Sequence, residues 1–235
     1  MKWQSKPSAG ILWPEIKNLE EKNAIATELA NKAKDGDVIG VGSGSTAYLA
    51  TLALGFRVRN EGLQIKVVST SIESEMTCLD AGLETTTLLS HRPDWCFDGA
   101  DEVDIQGNLN KGRGGAMLRE RLIFEAAMRR YLIVDSSKFV EQLCTNFPIP
   151  FEIHPHAVQY FRDFITQRGH LITLRLSGGG KDGPVITESA NLIVDVWFTG
   201  SARVQEAELA SRVGGVFASG LFAHFDYELI GGAAR

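Results

Sequence analysis

Short apolar runs alternate with longer stretches of helical periodicity through much of the chain. Apolar residues recur at helical spacing from Leu19 to Lys34, and the apolar run Val38 to Val41 leads through a glycine-rich loop into a second helical stretch, Ala47 to Leu54. Further strands are predicted at 65–68, 85–89, 95–97 and 131–134, and further helices at 72–81 and 116–128. Strands that alternate with helices predict a mostly parallel sheet with helices on both faces.

The pattern changes after residue 150. Strands are predicted at 151–153, 171–176, 185–187 and 192–197, and helices at 155–168 and 203–212. This β-α-β-β-α order resembles a small split β-α-β module. A last strand region, 221–230, is expected to return to the first domain. We therefore expect an α/β protein with a parallel-sheet domain of residues 1–149 plus 221–235 and a smaller α+β domain of residues 150–220.

Composition limits the classes of function. The chain has 235 residues, of which 44% are hydrophobic, so it can bury a sizeable core. Its 24 basic and 29 acidic residues give a net charge of -5, and such a balance offers no basic surface for nucleic acid. The 3 cysteines are too scattered for a disulfide framework or a zinc motif. No apolar run approaches the roughly 18 residues of a membrane span. We expect a cytoplasmic protein that holds any anionic ligand through local charges, with no membrane or nucleic-acid partner.

Ionisable residues are concentrated between Asp98 and Glu120. Asp98 ends an apolar run, and carboxylates at the carboxyl end of a strand lie where open α/β sheets bind ligands. The same stretch holds Asp101, Glu102, Asp104, Lys111 and the glycine-rich turn 112–115. Ionisable groups that crowd together change one another's proton affinities, as acid-base catalysis requires. The alternative is a solvated turn, which is the usual role of acids beside glycines.

Two other motifs have weaker signals. The loop from Gly40 to Thr46 fails the dinucleotide-binding pattern at Ser45 and lacks the lysine of a P-loop. Its backbone N–H groups and hydroxyls at a helix N-terminus favour either a phosphate site or a simple tight turn. His154 and His156 form a His-x-His pair without a third partner, so we expect a strand edge rather than a metal site.

Several motifs in order carry a specific resemblance. They read G-V-G-S-G-S-T-A from residue 40, T-S-I-E-S-E from 70, D-G-A-D-E from 98, N-K-G-R-G-G-A from 110, R-E at 119 and V-D-S-S-K from 134. The chain is similar to ribose-5-phosphate isomerases of the A type over nearly its whole length from Glu21. The resemblance implies a Rossmann-like first domain, a ferredoxin-like second domain, no metal or organic cofactor, and a homodimer or homotetramer. It also implies interconversion of ribose 5-phosphate and ribulose 5-phosphate in the pentose phosphate pathway of carbohydrate metabolism.

The resemblance assigns roles by residue. Glu120 is implied as the general base, with Asp98, Asp101 and Lys111 as the other catalytic groups. The implied substrate-binding residues are Lys22, Ser43, Gly44, Ser45, Thr46, Ser71, Gly99, Ala100, Gly112, Arg113, Gly114, Gly115 and Lys138. Aldose-ketose isomerisation needs a carboxylate that moves a proton between two adjacent carbons, and Glu120 suits that task. Which acid opens the sugar ring is left open between the aspartates.

Departures from the family pattern keep alternatives open. Arg113 stands where the family generally has glycine, Ser43 replaces a usual threonine, and Arg121 replaces a common lysine. These changes allow a paralogue that acts on another phosphorylated aldose, and Arg113 is a candidate to bind a second anionic group. A non-catalytic phosphosugar-sensing domain predicts binding without turnover. A coenzyme A transferase predicts a covalent Glu120 thioester.

Overall fold

The computed structural model describes residues 15–179 and 182–232. The N-terminal extension before Glu15 therefore lies outside the described residues. The helices are α1 Leu19–Ala30, α2 Ser45–Glu61, α3 Ile72–Asp80, α4 Met117–Ala126, α5 Val158–Gln167 and α6 Arg203–Ser211. The strands are β1 Val38–Val41, β2 Lys66–Ser69, β3 Glu84–Thr85, β4 Trp95–Asp98, β5 Glu102–Val103, β6 Leu109–Asn110, β7 Arg129–Ile133, β8 Ile149–Ile153, β9 Leu171–Leu174, β10 Leu192–Trp197, β11 Val216–Ser219, β12 Leu221–Phe222 and β13 Glu228–Ile230. Within the described residues, no helix is long and apolar enough to cross a membrane.

The chain forms two compact units, and neither is a continuous segment. Counting the described residues alone, the first lies within Met1–Gly99, Ile123–Ser136 and Tyr227–Arg235, and the second within Ala100–Leu122 and Ser137–Asp226. The sequence-based boundaries place residues 100–122, 137–149 and 221–226 with the first domain, whereas the structure groups them with the second unit. The reason is that β5, β6 and β12 form a separate three-stranded sheet and the Glu102 carboxylate binds the backbone of residues 144–147. Of the predicted strand region 221–230, only β13 pairs with the first sheet.

The first unit is built on a six-stranded sheet in the order β13-β7-β4-β1-β2-β3. Every pairing in this sheet is parallel, as expected from the alternation of strands and helices. The core packs apolar side chains of the sheet against those of the helices, including Leu29, Ile39, Leu54, Val67 and Phe97. Each of these side chains is almost wholly removed from water, so the hydrophobic effect stabilises this arrangement.

The second unit contains a four-stranded antiparallel sheet in the order β11-β8-β10-β9. With α5 and α6 the chain order is β-α-β-β-α-β, and the final strand, β11, completes the module that the sequence predicted only in part. Phe151 and Phe161 pack together with ring centroids 5.3 Å apart in its core. The parallel sheet, the antiparallel module and the return of β13 to the first sheet confirm the predicted fold class.

Two predicted strands were wrong in extent. The strand expected at 85–89 stops at Thr85, because Ser90 and His91 both donate backbone hydrogen bonds to the Thr87 carbonyl and turn the chain. The strand expected at 185–187 is reduced to an isolated bridge between Ile186 and Leu192.

Candidate active site

The carboxyl ends of β1 and β4 lie side by side, at the point where the order of the parallel sheet reverses. Ligands of open α/β sheets bind at such a crevice. The backbone N–H of Ser43, just after β1, donates to Asp98 Oδ1 at 3.1 Å, and the Gly99 N–H donates to the same oxygen at 2.7 Å. A Cβ atom on Gly42 would lie 2.4 Å from Asp98 Cγ, so only glycine allows this approach. The Asp98 carboxylate is therefore buried and fixed by backbone groups.

Substitution Gly42→Ala is expected to displace Asp98 and to lower kcat/KM by about 100-fold, because small displacements of a reacting group are costly. We also expect a loss of about 1–3 kcal/mol in the free energy of unfolding from overpacking. The control is Gly178→Ala, whose Cβ meets nothing within 4 Å. Steady-state kinetics and urea denaturation test both effects, and wild-type kinetics in Gly42→Ala would contradict the placement of Asp98 in the site.

A buried lysine lies beside the first turn of α2. Lys22 Nζ is 3.0 Å from Ser45 Oγ and 3.5 Å from Asp135 Oδ2, and Asn18 Nδ2 donates to Asp135 Oδ1 at 3.0 Å. Ser45 is the first residue of a 17-residue helix, whose N-terminus attracts negative charge. A lysine and a hydroxyl at a helix N-terminus can bind a phosphate group.

Asp135 is a residue that the sequence reasoning missed. It follows the apolar run of β7, as Asp98 follows that of β4, and this shared pattern was the available signal. Among the predicted binding residues, Thr46 is buried in the first turn of α2, whereas Ser71 has a different task. Ser71 Oγ accepts from the Ser74 N–H at 3.0 Å and caps α3.

In the second unit, the β5–β6 hairpin brings Asp101 close to Lys111. Glu102 pairs with Asn110 in the hairpin, and the Asp101 N–H donates to the Asn110 carbonyl at 2.8 Å. Lys111 Nζ lies 3.4 Å from Glu120 Oε2, and the two side chains are only 3% and 4% exposed. A buried ion pair of this kind is costly to keep for stability alone, which favours a functional role.

An aromatic side chain supports the lysine. Lys111 Nζ lies 5.5 Å from the centroid of the Phe222 ring, and the Arg121 guanidinium lies 4.4 Å from the same centroid. Arg121 Nη2 also donates to the Leu221 carbonyl. The arginine that departs from the family pattern therefore packs on an aromatic ring, where a planar guanidinium stacks better than an ammonium.

Burial raises the pKa of Asp101 above its ordinary value of 3.8. The charge of Lys111, the hydrogen bond from the Arg113 N–H and the charge of Lys138 each lower this pKa, but by less than burial raises it. The charge of Glu120 raises it further. Lys138 ends a short 3-10 turn, with its Nζ 6.0 Å from the Phe147 ring centroid. A carboxyl group with a raised pKa holds a proton more readily near neutral pH and can take part in proton transfer.

The raised pKa predicts a pH dependence of stability. A carboxyl group that binds its proton more tightly in the folded state stabilises the fold below its unfolded pKa and loses that contribution as pH rises through the folded value. The free energy of unfolding of wild type relative to Asp101→Asn should therefore fall as pH rises from about 4, the ordinary pKa of an aspartate, through the raised folded pKa. Urea denaturation across this range measures the difference. The exposed Asp163→Asn is the control, and a difference between wild type and Asp101→Asn that does not change with pH would contradict the effect.

The glycine-rich loop joins Lys111 to helix α4. Gly112 and Gly115 have φ angles of +89° and +83°, which L side chains rarely adopt. Arg113 points outward with its side chain 71% exposed, and its Nε lies 3.7 Å from Asp101 Oδ1. Its backbone N–H donates to Asp101 Oδ2 at 3.1 Å. Gly99 and Ala100, both partly exposed, join Asp98 to Asp101 along the chain.

Two of the clustered acids support the fold. The buried Glu102 carboxylate accepts hydrogen bonds from the backbone N–H groups of four consecutive residues, 144–147. Asp104 accepts from the N–H groups of Gln106 and Asn108 in the hairpin turn. Glu102 and Asp104 therefore hold backbone in place and leave Asp98 and Asp101 as the candidate reactive aspartates.

The His-x-His motif also supports local structure. The His156 N–H donates to His154 Nδ1 at 3.2 Å, where β8 ends and a 3-10 turn leads into α5. Among the residues that the structure describes, no group of three or more His, Cys, Asp or Glu is placed to hold a metal ion.

Known proteins with similar sequences share one description. The family model of ribose 5-phosphate isomerase A (phosphoriboisomerase A) matches residues 66–235. Ribose-5-phosphate isomerase A of Archaeoglobus fulgidus is 40% identical over 202 residues, which is 85% of this chain and 87% of that protein. The protein of the same name from Methanothermobacter thermautotrophicus is 37% identical over 216 residues, or 91% of this chain and 94% of its own length.

Solved structures show the same similarity. Ribose 5-phosphate isomerase A from Methanocaldococcus jannaschii has a TM-score of 0.87 at 34% identity, covering 92% of this chain and 96% of that one. A D-ribose-5-phosphate isomerase in complex with phospho-erythronic acid also has a TM-score of 0.87, at 32% identity and the same coverage.

Proposed function

The chain belongs to the ribose 5-phosphate isomerase A family, and we propose that Glu120 is the base with which this isomerase interconverts ribose 5-phosphate and ribulose 5-phosphate. The reaction belongs to the non-oxidative branch of the pentose phosphate pathway. It moves a hydrogen from C2 to C1, so that C2 is oxidised to a ketone while C1 is reduced to an alcohol. The observation that carries the proposal is the buried pair of Lys111 and Glu120 beside Asp101.

Glu120 performs both carbon proton transfers in this proposal. Its carboxylate removes the proton from C2 of the open-chain aldose, and the C2–H electron pair forms the C1–C2 double bond of an enediolate. The same carboxylate then returns the proton to C1, while the C2 hydroxyl gives up its proton to become the ketone and the C1 oxygen takes up a proton to become the alcohol. Glu120 lies in the first turn of α4, where backbone dipoles favour the negative charge of the carboxylate.

Lys111 stabilises the oxygen charge of the enediolate. Negative charge develops on the substrate oxygens as the proton leaves C2, and a fixed ammonium in a buried site stabilises that charge strongly. The Phe222 ring beside Lys111 and the low exposure of the lysine reduce competition from water. The lysine therefore acts on the transition state more than on the neutral aldehyde.

We assign phosphate binding to Ser45, Thr46 and Lys22, with Lys138 as a second cation. The contact between Lys22 Nζ and Ser45 Oγ supports the first part of this assignment. The electrostatic effect of Lys138 on Asp101 supports a position for Lys138 near the reacting groups. Phospho-erythronic acid, the molecule bound by the similar D-ribose-5-phosphate isomerase, contains both a phosphate and a carboxylate. A planar carboxylate resembles a planar enediolate, so the same kind of ligand is expected to bind here.

Opening of the furanose ring requires one more acid-base group, and Asp98 and Asp101 are the candidates. Ribulose 5-phosphate is acyclic because its C5 oxygen carries the phosphate, so its reaction begins without ring opening. The aspartate responsible is the one whose substitution by asparagine lowers kcat more with ribose 5-phosphate than with ribulose 5-phosphate as the substrate, since the equilibrium constant fixes the ratio of kcat/KM in the two directions. Equal losses of kcat in both directions for both variants would defeat the assignment to either residue.

Conversion of ribose 5-phosphate to ribulose 5-phosphate, measured with EDTA present and no added metal, tests the proposed reaction. Turnover supports it. A folded protein without turnover would instead be tested against a panel of phosphorylated aldoses. Turnover of another sugar there identifies a paralogue, and binding of phosphosugar without turnover identifies a sensing domain. A homodimer or homotetramer and a cytoplasmic location stay predictions, and light scattering tests the first.

A further inference from the structure

An arginine from the antiparallel sheet holds the loop between Lys111 and α4. Arg175, the residue after β9, donates from Nη1 to the carbonyl oxygens of Gly112 at 3.0 Å and Arg113 at 2.9 Å. Its Nε donates to Asp195 Oδ2 of β10 at 2.8 Å, and its Nη2 forms an ion pair with Asp195 Oδ1. Four donor contacts of one guanidinium therefore fix two carbonyls and one carboxylate.

These contacts set the orientation of two consecutive peptide groups. In a trans peptide the N–H points away from the C=O of the preceding residue. Because the carbonyls of Gly112 and Arg113 both face Arg175, the following N–H groups, those of Arg113 and Gly114, face the opposite side. The Arg113 N–H indeed donates to Asp101 Oδ2 at 3.1 Å. Arg175 thus determines that the N–H side of this loop, and not its carbonyl side, faces Asp101.

The loop leaves little freedom on its other sides. A Cβ on Gly112 would lie 3.0 Å from Pro150, and a Cβ on Gly115 would lie 2.9 Å from Ile193. The Lys111 N–H also donates to the Gly220 carbonyl at 2.8 Å. Packing therefore restrains the loop, and Arg175 supplies its charge-assisted hydrogen bonds, the stronger kind.

We propose that Arg175, held by Asp195, is a positioning residue for the isomerisation. It touches no reacting atom in this proposal. Through the carbonyls of residues 112 and 113 it holds the loop between Lys111 and the first turn of α4, which contains Glu120, and so fixes the distance between ammonium and carboxylate. The inference rests on the proposed roles of Lys111 and Glu120.

The chain offers a matched control. Arg203 Nη1 donates to the carbonyls of Leu143 and Cys144 at 3.0 and 3.1 Å in the same unit. That loop contains none of the proposed site residues. Arg203→Met therefore removes the same kind of contacts to two consecutive carbonyls from a loop distant in sequence from the proposed reacting groups, and Asp195→Asn tests the ion pair that Arg175 has in addition.

Steady-state kinetics of Arg175→Met, Arg203→Met and Glu120→Gln test the proposal. We expect kcat of Arg175→Met to fall by about 10- to 100-fold with KM changed less than about threefold, because the reacting groups lose their alignment. We expect kcat of Arg203→Met to stay within about threefold of wild type. Guanidinium ions at millimolar concentration should restore part of the kcat of Arg175→Ala, because they can replace the contacts to the two carbonyls and Asp195.

Several outcomes would overturn the proposal. A kcat for Arg175→Met within about threefold of wild type would do so, as would equal losses in Arg175→Met and Arg203→Met. If Arg175→Met does not fold, Arg175→Lys replaces it, since one ammonium cannot match the planar fork that reaches both carbonyls and Asp195. Wild-type kcat in folded Arg175→Lys would then overturn the proposal. Full activity of Glu120→Gln would overturn the catalytic roles as well, whereas an inactive Glu120→Gln with normal Arg175→Met would overturn only the positioning role.

Discussion

Substitution Glu120→Gln is expected to lower kcat for ribose 5-phosphate by about 10³–10⁴-fold while KM changes little, because an amide of the same shape cannot accept the C2 proton. Glu120→Asp keeps the carboxylate but withdraws it by about 1 Å, and a loss on the order of 100-fold is expected. Steady-state kinetics with both sugar phosphates measure these effects.

The control for Glu120→Gln lies on the same helix. Glu125 is exposed on α4, and Glu125→Gln should keep wild-type kcat. Loss of the C2 hydrogen to solvent deuterium gives a second readout, since it should stop in Glu120→Gln if the glutamate is the base. Exchange at the wild-type rate in that variant would assign the proton transfer to another group.

Substitution Lys111→Met is expected to affect both activity and stability. It removes the cation that stabilises the enediolate, which should lower kcat by about 100- to 1000-fold. It also leaves the Glu120 carboxylate buried without its ion-pair partner, which should cost about 3–5 kcal/mol in the free energy of unfolding at neutral pH. Replacing both residues, as Lys111→Met with Glu120→Leu, should recover most of that stability and none of the activity.

An exposed ion pair of the first unit, Lys32 with Glu228, is the control for this stability effect. Lys32 Nζ lies 2.7 Å from Glu228 Oε1, with the two side chains 29% and 59% exposed. Water screens such a pair, so Lys32→Met should cost less than about 1 kcal/mol. Urea denaturation of the variants gives the comparison. Similar small losses in Lys111→Met and Lys32→Met would show that the buried pair is not an important charge interaction.

Local sequence patterns predicted the elements that have long apolar or periodic segments. The limits of β1 and β10 agree with prediction, because both are dominated by apolar residues and Asp195 is the one charged residue within them. Helix α2 is longer than predicted and continues past Leu54 to Glu61. This helix contains Gly55, a residue type that weakens helices. A Cβ at this position would lie 2.4 Å from the Ala81 carbonyl oxygen, so the close packing of the helix against Ala81 requires a glycine here.

Contacts between distant residues were harder to predict. The two-residue strands β5 and β6 contain Glu102 and Asn110, polar residues without an apolar alternation, and they form because the hairpin buries both side chains. Glu102 looked like a member of a reactive cluster, yet the four backbone N–H groups that its carboxylate binds lie more than 40 residues away in a loop. Arg175 is 62 residues from Arg113, and no local pattern links them. The motifs therefore indicated the reactive groups, while the residues that support them became visible only in the fold.

The position of β13 has a consequence for biosynthesis. This strand pairs with β7 at one edge of the parallel sheet, and most of the second unit lies between the two strands along the chain. A ribosome therefore synthesises the whole second unit before the last strand of the first sheet exists. Until then β7 presents an unpaired edge, the kind of surface through which nascent chains aggregate. Chaperone dependence during translation is thus expected to be greatest between emergence of β7 and arrival of β13.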